Sequence, residues 1–328
     1  MHHADDPTPC SVPCDLCGST DVDELCLTDR DGGYLRTVIC RRCGLVYVDP
    51  RPNSNQIRDY YEQRYRLDYQ ASYQPKRKHV YRAGKAAVDR FHRLVTILIP
   101  RCRVLDAGAG SGEVVYVLRA MGYDASGFEP NEGYARFAAE VLGLPVTQSF
   151  YQEAPIEPES QDVVTMFHVL EHLESPYDAL RHARQWLRPN GRLLVEAPNV
   201  EALCQWPRSR FHRAHLHNFS PATLEMVGRR AGYSVVSTSV SSDGGNITVA
   251  FQRGATPSPA SGEMPGHYER VSSIVRRHTS FRHLFSPFPY ARPFRQVATW
   301  LEERREVGQN RSPREILDGL ISSEPRHE

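Results

Sequence analysis

The sequence predicts an α/β protein with a doubly wound, seven-stranded domain, a cysteine-rich module before it and a helical extension after it. Three observations predict this fold. Short apolar runs alternate with amphipathic stretches over residues 103–253, two C-x2-C pairs stand near the start, and the last part of the chain has helical spacing with many arginines. We therefore divide the chain into four segments, 1–50, 51–99, 100–253 and 254–328.

Composition narrows the classes of function. The chain has 328 residues, and its 40 Lys and Arg nearly balance its 39 Asp and Glu. Net charge therefore favours neither nucleic acid nor an anionic membrane. The chain lacks a run of about 18 apolar residues and its start lacks the order of a secretion signal, so we expect a soluble cytoplasmic protein with reduced thiols.

The first segment contains two metal-binding signatures. Cys14 and Cys17 form "CDLCG", Cys40 and Cys43 form "CRRCG", and 22 residues separate the pairs. Four thiolates in two glycine-closed knuckles match the tetrahedron that Zn²⁺ prefers, and four sulfur ligands leave no open position. We predict a structural zinc. The alternatives are a disulfide pair or a redox C-x-x-C, and both are disfavoured in a reducing compartment.

The second segment is predicted to be mostly helical. It is rich in tyrosine, and the apolar positions of "KHVYRAGKAAVDRFHRLVTILI" recur at helical spacing. The tyrosines have two equally supported interpretations. They form a lid over a binding site, or they pack the helix onto the next domain. The tyrosines concerned are Tyr60, Tyr61, Tyr65, Tyr69 and Tyr73.

The third segment alternates strands and helices. The predicted strands are "RVLDAG", "DASGFEP", "LPVTQ", "QDVVTMF", "GRLLVEAP", "YSVVSTSV" and "NITVAFQ". The predicted helices are "GEVVYVLRAMG", "GYARFAAEVLG", "SPYDALRHARQWLRPNG" and "SPATLEMVGRRAG". "GATPSPASGEMPG" is predicted to be a linker, and helices follow it to the end. The arginines there, Arg276, Arg277, Arg304 and Arg305, fit a solvated face better than an anion site.

A glycine-rich turn follows the first strand of this segment. In "LDAGAGSGE" the glycines are Gly108, Gly110 and Gly112, with Ala109 between the first two. Such a turn lets backbone N–H groups approach a dinucleotide or another adenosine cofactor. The dinucleotide pattern would place glycine where Glu113 stands, and a carboxylate there repels a pyrophosphate. A zwitterionic amino-acid tail fits better; a bare strand-to-helix turn is the remaining alternative.

Two acids complete the expected cofactor site. Asp106, just before the turn, can hold an ammonium group, and Glu129 in "GFEPN" follows the second strand, 21 residues past Gly108. Its two oxygens suit two ribose hydroxyls. The end of the fourth strand, where parallel sheets bind ligands, adds Phe167 and His168.

These motifs, in the order "VLDAGAGSG", "GFEP", "DVVTMFHVLEHL" and "LRPNGRLLVEAPN", resemble the class I S-adenosylmethionine-dependent methyltransferases over residues 103–253. The resemblance implies a Rossmann-like methyltransferase sheet whose turn passes beneath the methionine tail while Glu129 holds the ribose. It also places the loop 148–151 at the adenine. That loop has no acid, so Phe150 is the expected apolar wall.

With its cysteine pairs the chain is similar to zinc-ribbon methyltransferases of bacterial sugar and natural-product pathways. In the deoxysugar enzymes of that group two histidines transfer protons, and the matching positions are His172 and His215. Two features depart from the group: Ala214 stands where glutamate is usual, and about sixty helical residues replace a large C-terminal domain. We expect His215 to take the acceptor's proton, supported by His172 and less directly by His212.

The histidines also permit metal-binding interpretations. "HVLEH", residues 168–172, matches the H-x-x-E-H pattern of inverted zinc peptidases, which would bind a second zinc. "FHRAHLHNF" brings His212, His215 and His217 close in sequence. We favour proton transfer over both, because the metal spacing is loose and the peptidase interpretation leaves the glycine turn unused.

The sequence thus predicts an S-adenosylmethionine-dependent methyltransferase with a structural zinc. We expect a small-molecule acceptor, a sugar or natural-product intermediate, and anionic or nucleotide-linked compounds are included. We expect no membrane partner, and nucleic acid is disfavoured. The alternatives are an RNA methyltransferase whose ribbon contacts RNA, and a cofactor-binding module without catalysis. Oxygen, nitrogen and carbon acceptors all fit such a fold.

Overall fold

The computed structural model describes residues 11–64, 73–254, 262–307 and 311–323. Its strands are β1 (Val22–Thr28), β2 (Tyr34–Cys40), β3 (Val46–Val48), β4 (Arg103–Ala107), β5 (Asp124–Glu129), β6 (Val146–Gln148), β7 (Gln161–Phe167), β8 (Leu187–Pro198), β9 (His217–Asn218), β10 (Tyr233–Val240) and β11 (Asn246–Arg253). Its α-helices are α1 (Ser54–Asp59), α2 (Arg77–Leu94), α3 (Glu113–Ala120), α4 (Glu132–Arg136), α5 (Pro176–Trp186), α6 (Pro221–Arg230), α7 (His267–Arg277), α8 (Ser280–Leu284), α9 (Phe288–Val307) and α10 (Pro313–Ser322).

The strands form two sheets. The larger has seven strands in the order β10-β11-β8-β7-β4-β5-β6, and the smaller has the order β1-β2-β3-β9. Strand β4 pairs in parallel with β5 and β7, β5 pairs in parallel with β6, and β10 pairs antiparallel with β11. Helices alternate with these strands along the chain. The predicted doubly wound, seven-stranded α/β fold is confirmed.

The chain divides into two compact units. The ribbon unit comprises residues 1–60, 168–181 and 195–290, and the glycine-turn unit comprises residues 61–167, 182–194 and 291–328.

In the glycine-turn unit, helix α2 presents an apolar face to helix α10. The residues of that face recur at helical spacing and are buried: Val80, Gly84, Ala87, Val88, Phe91 and Leu94. The contact with α10 is close at Gly84, where an added Cβ would lie 2.7 Å from Leu317 and 2.8 Å from Leu320. The predicted helix in the second segment is therefore confirmed as α2, and its glycine is required by the packing.

In the ribbon unit, helix α7 covers the small sheet. Val271 of α7 is fully buried with residues of β2 and β3 in one cluster: Leu35, Ile39, Val46 and Val48. Polar contacts reinforce this packing, because Tyr268 Oη donates to Asp23 at 2.6 Å and Arg276 pairs with the same carboxylate at 3.1 Å. Arg276, predicted as part of a solvated face, thus holds the extension to the sheet.

The structure differs from the sequence interpretation in two places, strands β8 and β9. Strand β8 begins at Leu187, earlier than the predicted start at Gly191, because Pro189 cannot continue helix α5. Strand β9 was not predicted. Among the tyrosines, Tyr60 and Tyr61 begin a π-helical turn, and Tyr73 donates to Glu132 at 2.7 Å; Tyr65 and Tyr69 lie outside the described residues.

The described helices include none whose length and apolar character would allow it to cross a membrane.

Candidate cofactor site and histidine cluster

The four predicted cysteines converge in the ribbon unit. Cys14 Sγ lies 3.5 Å from Cys43 Sγ, and Cys17 Sγ lies 3.4 Å from Cys40 Sγ. A tetrahedral zinc with Zn–S bonds of about 2.3 Å separates its sulfurs by about 3.8 Å. The hydrogen bonds among the sulfurs raise the pKa of Cys14 and Cys43 and lower the pKa of Cys17 and Cys40, so the four thiols do not ionise together without a cation.

The glycine after each cysteine pair closes its knuckle. Gly18 and Gly44 both have left-handed backbones, with φ of 71° and 73°. Gly18 N–H donates to the Cys14 carbonyl at 2.7 Å, and Gly44 N–H donates to the Cys40 carbonyl at 2.8 Å. This repeated turn is why the sequence reads C-x2-C-G twice.

In the glycine-turn unit, the three glycines after β4 all have positive φ. The angles are 77° at Gly108, 57° at Gly110 and 90° at Gly112. The N–H groups of Gly108 and Ala109 both donate to the Phe128 carbonyl at 2.9 Å, which fixes the turn against β5. Gly112 also lacks room for a side chain, because a Cβ there would lie 2.7 Å from Leu144.

Glu129 is part of this turn as well as of its ligand-facing surface. Its side chain is 5% exposed; Oε2 accepts from Gly110 N–H at 2.9 Å and Oε1 accepts from Asn131 N–H at 3.2 Å. Each carboxylate oxygen has two lone pairs, so both oxygens keep the capacity to accept from a hydroxyl. The carboxylate is therefore pre-oriented at the carboxyl end of β5.

Asp106 is a buried carboxylate directly before the turn. It is 3% exposed, and its Oδ1 accepts from Thr165 Oγ1 of β7 at 2.6 Å. Burial raises the pKa of Asp106 to about 6, against the lowering effects of Thr165 and Arg90; Glu129 raises it further. A positive ligand group would relieve this cost.

A third buried carboxylate begins helix α3. Glu113 is 5% exposed, and its Oε1 accepts from Ser111 Oγ at 2.6 Å. The helix N-terminus that would bind a pyrophosphate in a dinucleotide enzyme is thus next to a carboxylate. The structure agrees with the sequence argument against a dinucleotide.

Two aromatic residues predicted to contact the cofactor lie at strand ends. Phe150 is half-buried in the loop after β6, and the neighbouring Ser149 N–H donates to the Glu129 carbonyl at 3.2 Å. Phe167, at the end of β7, is buried, and the Arg90 guanidinium lies 4.6 Å from its ring centre. The sequence interpretation did not identify Arg90, which comes from α2.

The histidine cluster belongs to the ribbon unit and begins at His168. This residue has a φ of 55°, a conformation that is costly for a residue with a side chain and is found most often at functional sites. Its Nδ1 lies 3.2 Å from Glu171 Oε1 and its Nε2 lies 3.4 Å from Glu196 Oε1. The His168 ring thus lies between two buried carboxylates.

Hydrogen bonds fix the tautomers of two other histidines. His172 Nδ1 lies 2.9 Å from the Ala214 carbonyl, which can only accept, so this nitrogen carries a proton. His212 Nδ1 accepts from Ala214 N–H at 3.0 Å, so in the neutral ring Nε2 carries the proton. The backbone N–H and carbonyl of Ala214 therefore orient both rings. The identity of its side chain gives no indication of this role.

His215 lies between these two rings. Its ring centre is 4.9 Å from that of His172 and 5.2 Å from that of His212. Burial and the neighbouring His172 lower the pKa of His215 to about 3, and burial lowers that of His212 to about 4. Both rings are neutral near pH 7.

Glu171 is the acid of the H-x-x-E-H match, which the sequence interpretation considered only as the base of a zinc peptidase. It is 1% exposed, and although burial acts to raise its pKa, His172, His168 and His215 lower it to about 2. His217 lies apart from this arrangement: its Nδ1 donates to the Leu173 carbonyl at 3.1 Å, and its ring stacks on Phe219. The structure thus brings His172, His212 and His215 together and leaves His217 in a packing role.

A family model described as a methyltransferase domain matches residues 73–238. Among curated proteins, the chain is 32% identical over 143 residues to a tRNA U34 carboxymethyltransferase of Azotobacter vinelandii, covering 40% of this chain and 45% of that one. It is 36% identical over 94 residues to a ubiquinone biosynthesis O-methyltransferase of Roseobacter denitrificans, covering 27% of this chain and 38% of that one. The chain therefore spans less than half the length of these relatives.

Solved structures with similar folds include the complex between the Haloferax volcanii Trm112 methyltransferase activator and the putative methyltransferase. The TM-score is 0.46 at 15% identity, covering 54% of this chain and 95% of that one.

Proposed function

We infer the function from one premise: the chain belongs to the methyltransferase-domain family and is an S-adenosylmethionine-dependent methyltransferase. We propose that it transfers the methyl group to a small cytoplasmic metabolite, a sugar or natural-product intermediate. We further propose that the histidine cluster removes the acceptor's proton and that the four cysteines hold a structural zinc.

One observation carries the cofactor assignment: three buried carboxylates surround the glycine turn. They are Asp106, Glu113 and Glu129. S-adenosylmethionine carries a sulfonium and an ammonium against a single carboxylate, so this surface attracts it electrostatically, whereas a pyrophosphate would be repelled. Family membership and the charge of the site thus agree.

Different residues bind different parts of the cofactor. Asp106 binds the ammonium group, and Glu129 accepts from the ribose hydroxyls. Phe150 forms an apolar wall for adenine. The backbone of Gly108, Ala109, Gly110 and Gly112 passes beneath the methionine tail. Phe167 completes this part of the site at the end of β7, and His168 is the next residue in the chain.

In the proposed reaction, the bond from the sulfonium sulfur to the methyl carbon breaks as the acceptor atom forms its bond to that carbon. Most of the rate enhancement comes from in-line orientation in a site that excludes water. The reaction also requires that the acceptor lose a proton. We propose that His215, whose neutral ring has a lone pair, takes the proton, and that the Glu171 carboxylate, which acts to raise the pKa of His215, stabilises the imidazolium that forms. The rings of His172 and His212 hold His215 in place.

The four cysteines fit a zinc ion. Their sulfur separations of 3.4 and 3.5 Å approach those of a tetrahedral zinc–thiolate site, and both knuckles have the closing glycine turn. When bound, the ion supplies structure rather than Lewis-acid chemistry, because four thiolates leave no position for a substrate.

A small acceptor is favoured by the charge pattern of the ribbon. Each arginine between Cys14 and Asp49 is paired with an acid in the structure: Arg30 with Asp31, Arg36 with Asp49, Arg41 with Asp23 and Arg42 with Glu263. Paired arginines contribute little to phosphate binding. The tRNA-modifying relative favours a second candidate, methylation of RNA, which a steep salt dependence of binding would identify.

Calorimetry with S-adenosylmethionine and S-adenosylhomocysteine tests the cofactor assignment. We expect both to bind wild type, and Glu129→Ala to weaken binding at least about tenfold, the loss of charge-assisted hydrogen bonds worth about 1.5–3 kcal/mol. Glu132→Ala is the matched control, a glutamate on the next helix whose side chain is 47% exposed. An unchanged affinity in Glu129→Ala would place the ribose elsewhere.

Transfer of a radiolabelled methyl group separates the two acceptor classes. We expect labelling of members of a panel of sugar nucleotides and natural-product precursors, and none of unmodified tRNA. Labelled tRNA together with unlabelled small molecules would replace this proposal with the RNA candidate. Slow cofactor turnover with every acceptor would indicate a binding module without catalysis.

A further inference from the structure

The histidine cluster contains a second set of potential metal ligands. One oxygen of Glu171 and one ring nitrogen each of His172 and His215 all lie within 4.8 Å of one another. Among the described residues, the other group with this property is the four cysteines. Two imidazoles and one carboxylate are the ligand set of open divalent-metal sites.

The orientation of His172 favours a cation. Its Nδ1–H donates to the Ala214 carbonyl, so the lone pair of the neutral ring is on Nε2, and Nε2 faces Glu171 Oε1 at 3.8 Å. A lone pair and a carboxylate oxygen repel at this distance unless a positive charge lies between them. A ring N–H donated to a backbone carbonyl is also the second contact that metal-binding histidines usually make.

Glu171 supplies an independent observation. Its Oε2 is buried and has no hydrogen-bond partner within the described chain, although the residue is only 1% exposed. A buried carboxylate oxygen without a partner costs about 1–3 kcal/mol or more. A proton on His172 would satisfy Oε1 but leave Oε2 unchanged, whereas a cation can be bound by both oxygens.

Two residues of the cluster are partly exposed to solvent. His215 is half-buried and the side chain of His168 is 35% exposed, whereas Glu171 and His172 are buried. A site that keeps an open position can bind a further oxygen from a ligand, as catalytic metal sites do. The ribbon cysteines offer no such position.

We propose that Glu171, His172 and His215 bind a divalent cation whose open positions take an oxygen of the acceptor. Metal–ligand bonds of about 2.1 Å put ligand atoms roughly 3.0–3.5 Å apart, so the three side chains move together by about an ångström on binding. This inference rests on the methyl transfer of the proposed function and replaces one part of it: with the cation bound, His215 is a ligand and water takes the acceptor's proton.

The cation would make the acceptor hydroxyl more acidic. The O–H bond breaks and its proton passes to water; the oxygen then forms its bond to the methyl carbon as the bond to sulfur breaks. Sulfur keeps that electron pair, so S-adenosylhomocysteine leaves as a neutral thioether and no oxidant is needed.

Titration with Zn²⁺ alone tests the site. All samples are the full chain with His2→Ala and His3→Ala, so that these two adjacent imidazoles do not bind the added zinc. Each sample is first loaded to one zinc per chain. Calorimetry and metal analysis then measure further zinc. We expect one more equivalent, and at least about tenfold weaker binding in Glu171→Gln and in His172→Asn. His182→Asn is the control, a half-buried histidine of the glycine-turn unit.

The same samples are titrated with S-adenosylmethionine, which also verifies that each variant is folded. Wild type that binds the cofactor but no second zinc overturns the metal site and leaves the methyltransferase function standing. Wild type that binds the second zinc but neither cofactor form overturns the proposed cofactor site instead. Equal zinc affinity in wild type and both cluster variants overturns the ligand assignment.

Discussion

Replacement of Asp106 by asparagine is expected to stabilise the unliganded protein while weakening its binding of S-adenosylmethionine. The variant Asp106→Asn keeps an oxygen that can accept from Thr165 Oγ1 but removes the charge. Burial raises the pKa of Asp106 from 3.8 to about 6, so keeping it ionised in the folded chain costs free energy at neutral pH.

The magnitude follows from that pKa. A pKa raised by about 2 units corresponds to about 3 kcal/mol, at 1.36 kcal/mol per unit. A raised pKa means that this cost is absent below the unfolded pKa of 3.8 and complete once the pH exceeds about 6. The difference in unfolding free energy between variant and wild type should therefore grow by about 1.4 kcal/mol between pH 5 and pH 8.

Urea unfolding of zinc-loaded protein at these two pH values measures the difference. Asp124→Asn is the matched control: Asp124 is an exposed aspartate on β5, 3.8 Å from Arg103, and its replacement should change stability by less than about 0.5 kcal/mol. If Asp106→Asn destabilises the protein equally at pH 5 and pH 8, the assignment of a buried, ionised carboxylate is wrong.

Cofactor affinity gives the second measurement. Because an ionised Asp106 binds the ammonium group, the affinity of wild type for S-adenosylmethionine should fall up to about tenfold per unit as the pH drops below about 6. Asp106→Asn should bind about ten- to a hundredfold more weakly at pH 8 and lose this dependence. Unchanged binding in the variant would mean that the ammonium group lies elsewhere.

Three further predictions follow from the same structure. Thr165→Val removes a hydrogen bond that lowers the pKa of Asp106, so the pH midpoint of cofactor binding should move upward in calorimetry; an unmoved midpoint would contradict the contact. Gly112→Ala should cost more stability than Gly122→Ala by about 1–3 kcal/mol, because both have positive φ but only the first Cβ meets a neighbour, and equal chemical denaturation midpoints would refute this. Cys40→Ser should bind one equivalent of zinc less than Cys26→Ser, whose cysteine lies outside the cluster, in metal analysis; equal zinc content in the two variants would exclude the four-thiolate site.

The parts of the fold that could be predicted are those specified by local sequence. The apolar runs that became β4 and β7 are buried on both faces, so their hydrophobicity identified them without knowledge of their neighbours. The knuckles and the glycine turn were also recognisable, because each depends on positive φ at glycines fixed in the motif.

The parts that could not be predicted depend on contacts between distant residues. Strand β9 has two residues, too few to show a period, and exists because it pairs with β3. The sequence identified Glu171 only as the acid of an H-x-x-E-H match, whereas its contacts with His168 and His172 depend on the turn at residues 170–172. The orientation of the histidines by the Ala214 backbone is invisible in sequence, since any residue supplies the same N–H and carbonyl.

The pairing of β3 with β9 has a consequence for biosynthesis. Val46 pairs with Asn218 and Tyr47 with His217, so one edge of β3 receives its partner only after more than half of the chain has been made. At about 5–20 residues per second the interval is roughly 10–30 s. During translation, the edge of β3 that will pair with β9 is unpaired. Its free N–H and C=O groups can pair with a strand of another nascent chain on the same polysome. Early capture of metal by the two knuckles would keep β2 and β3 in register until their last strand leaves the ribosome.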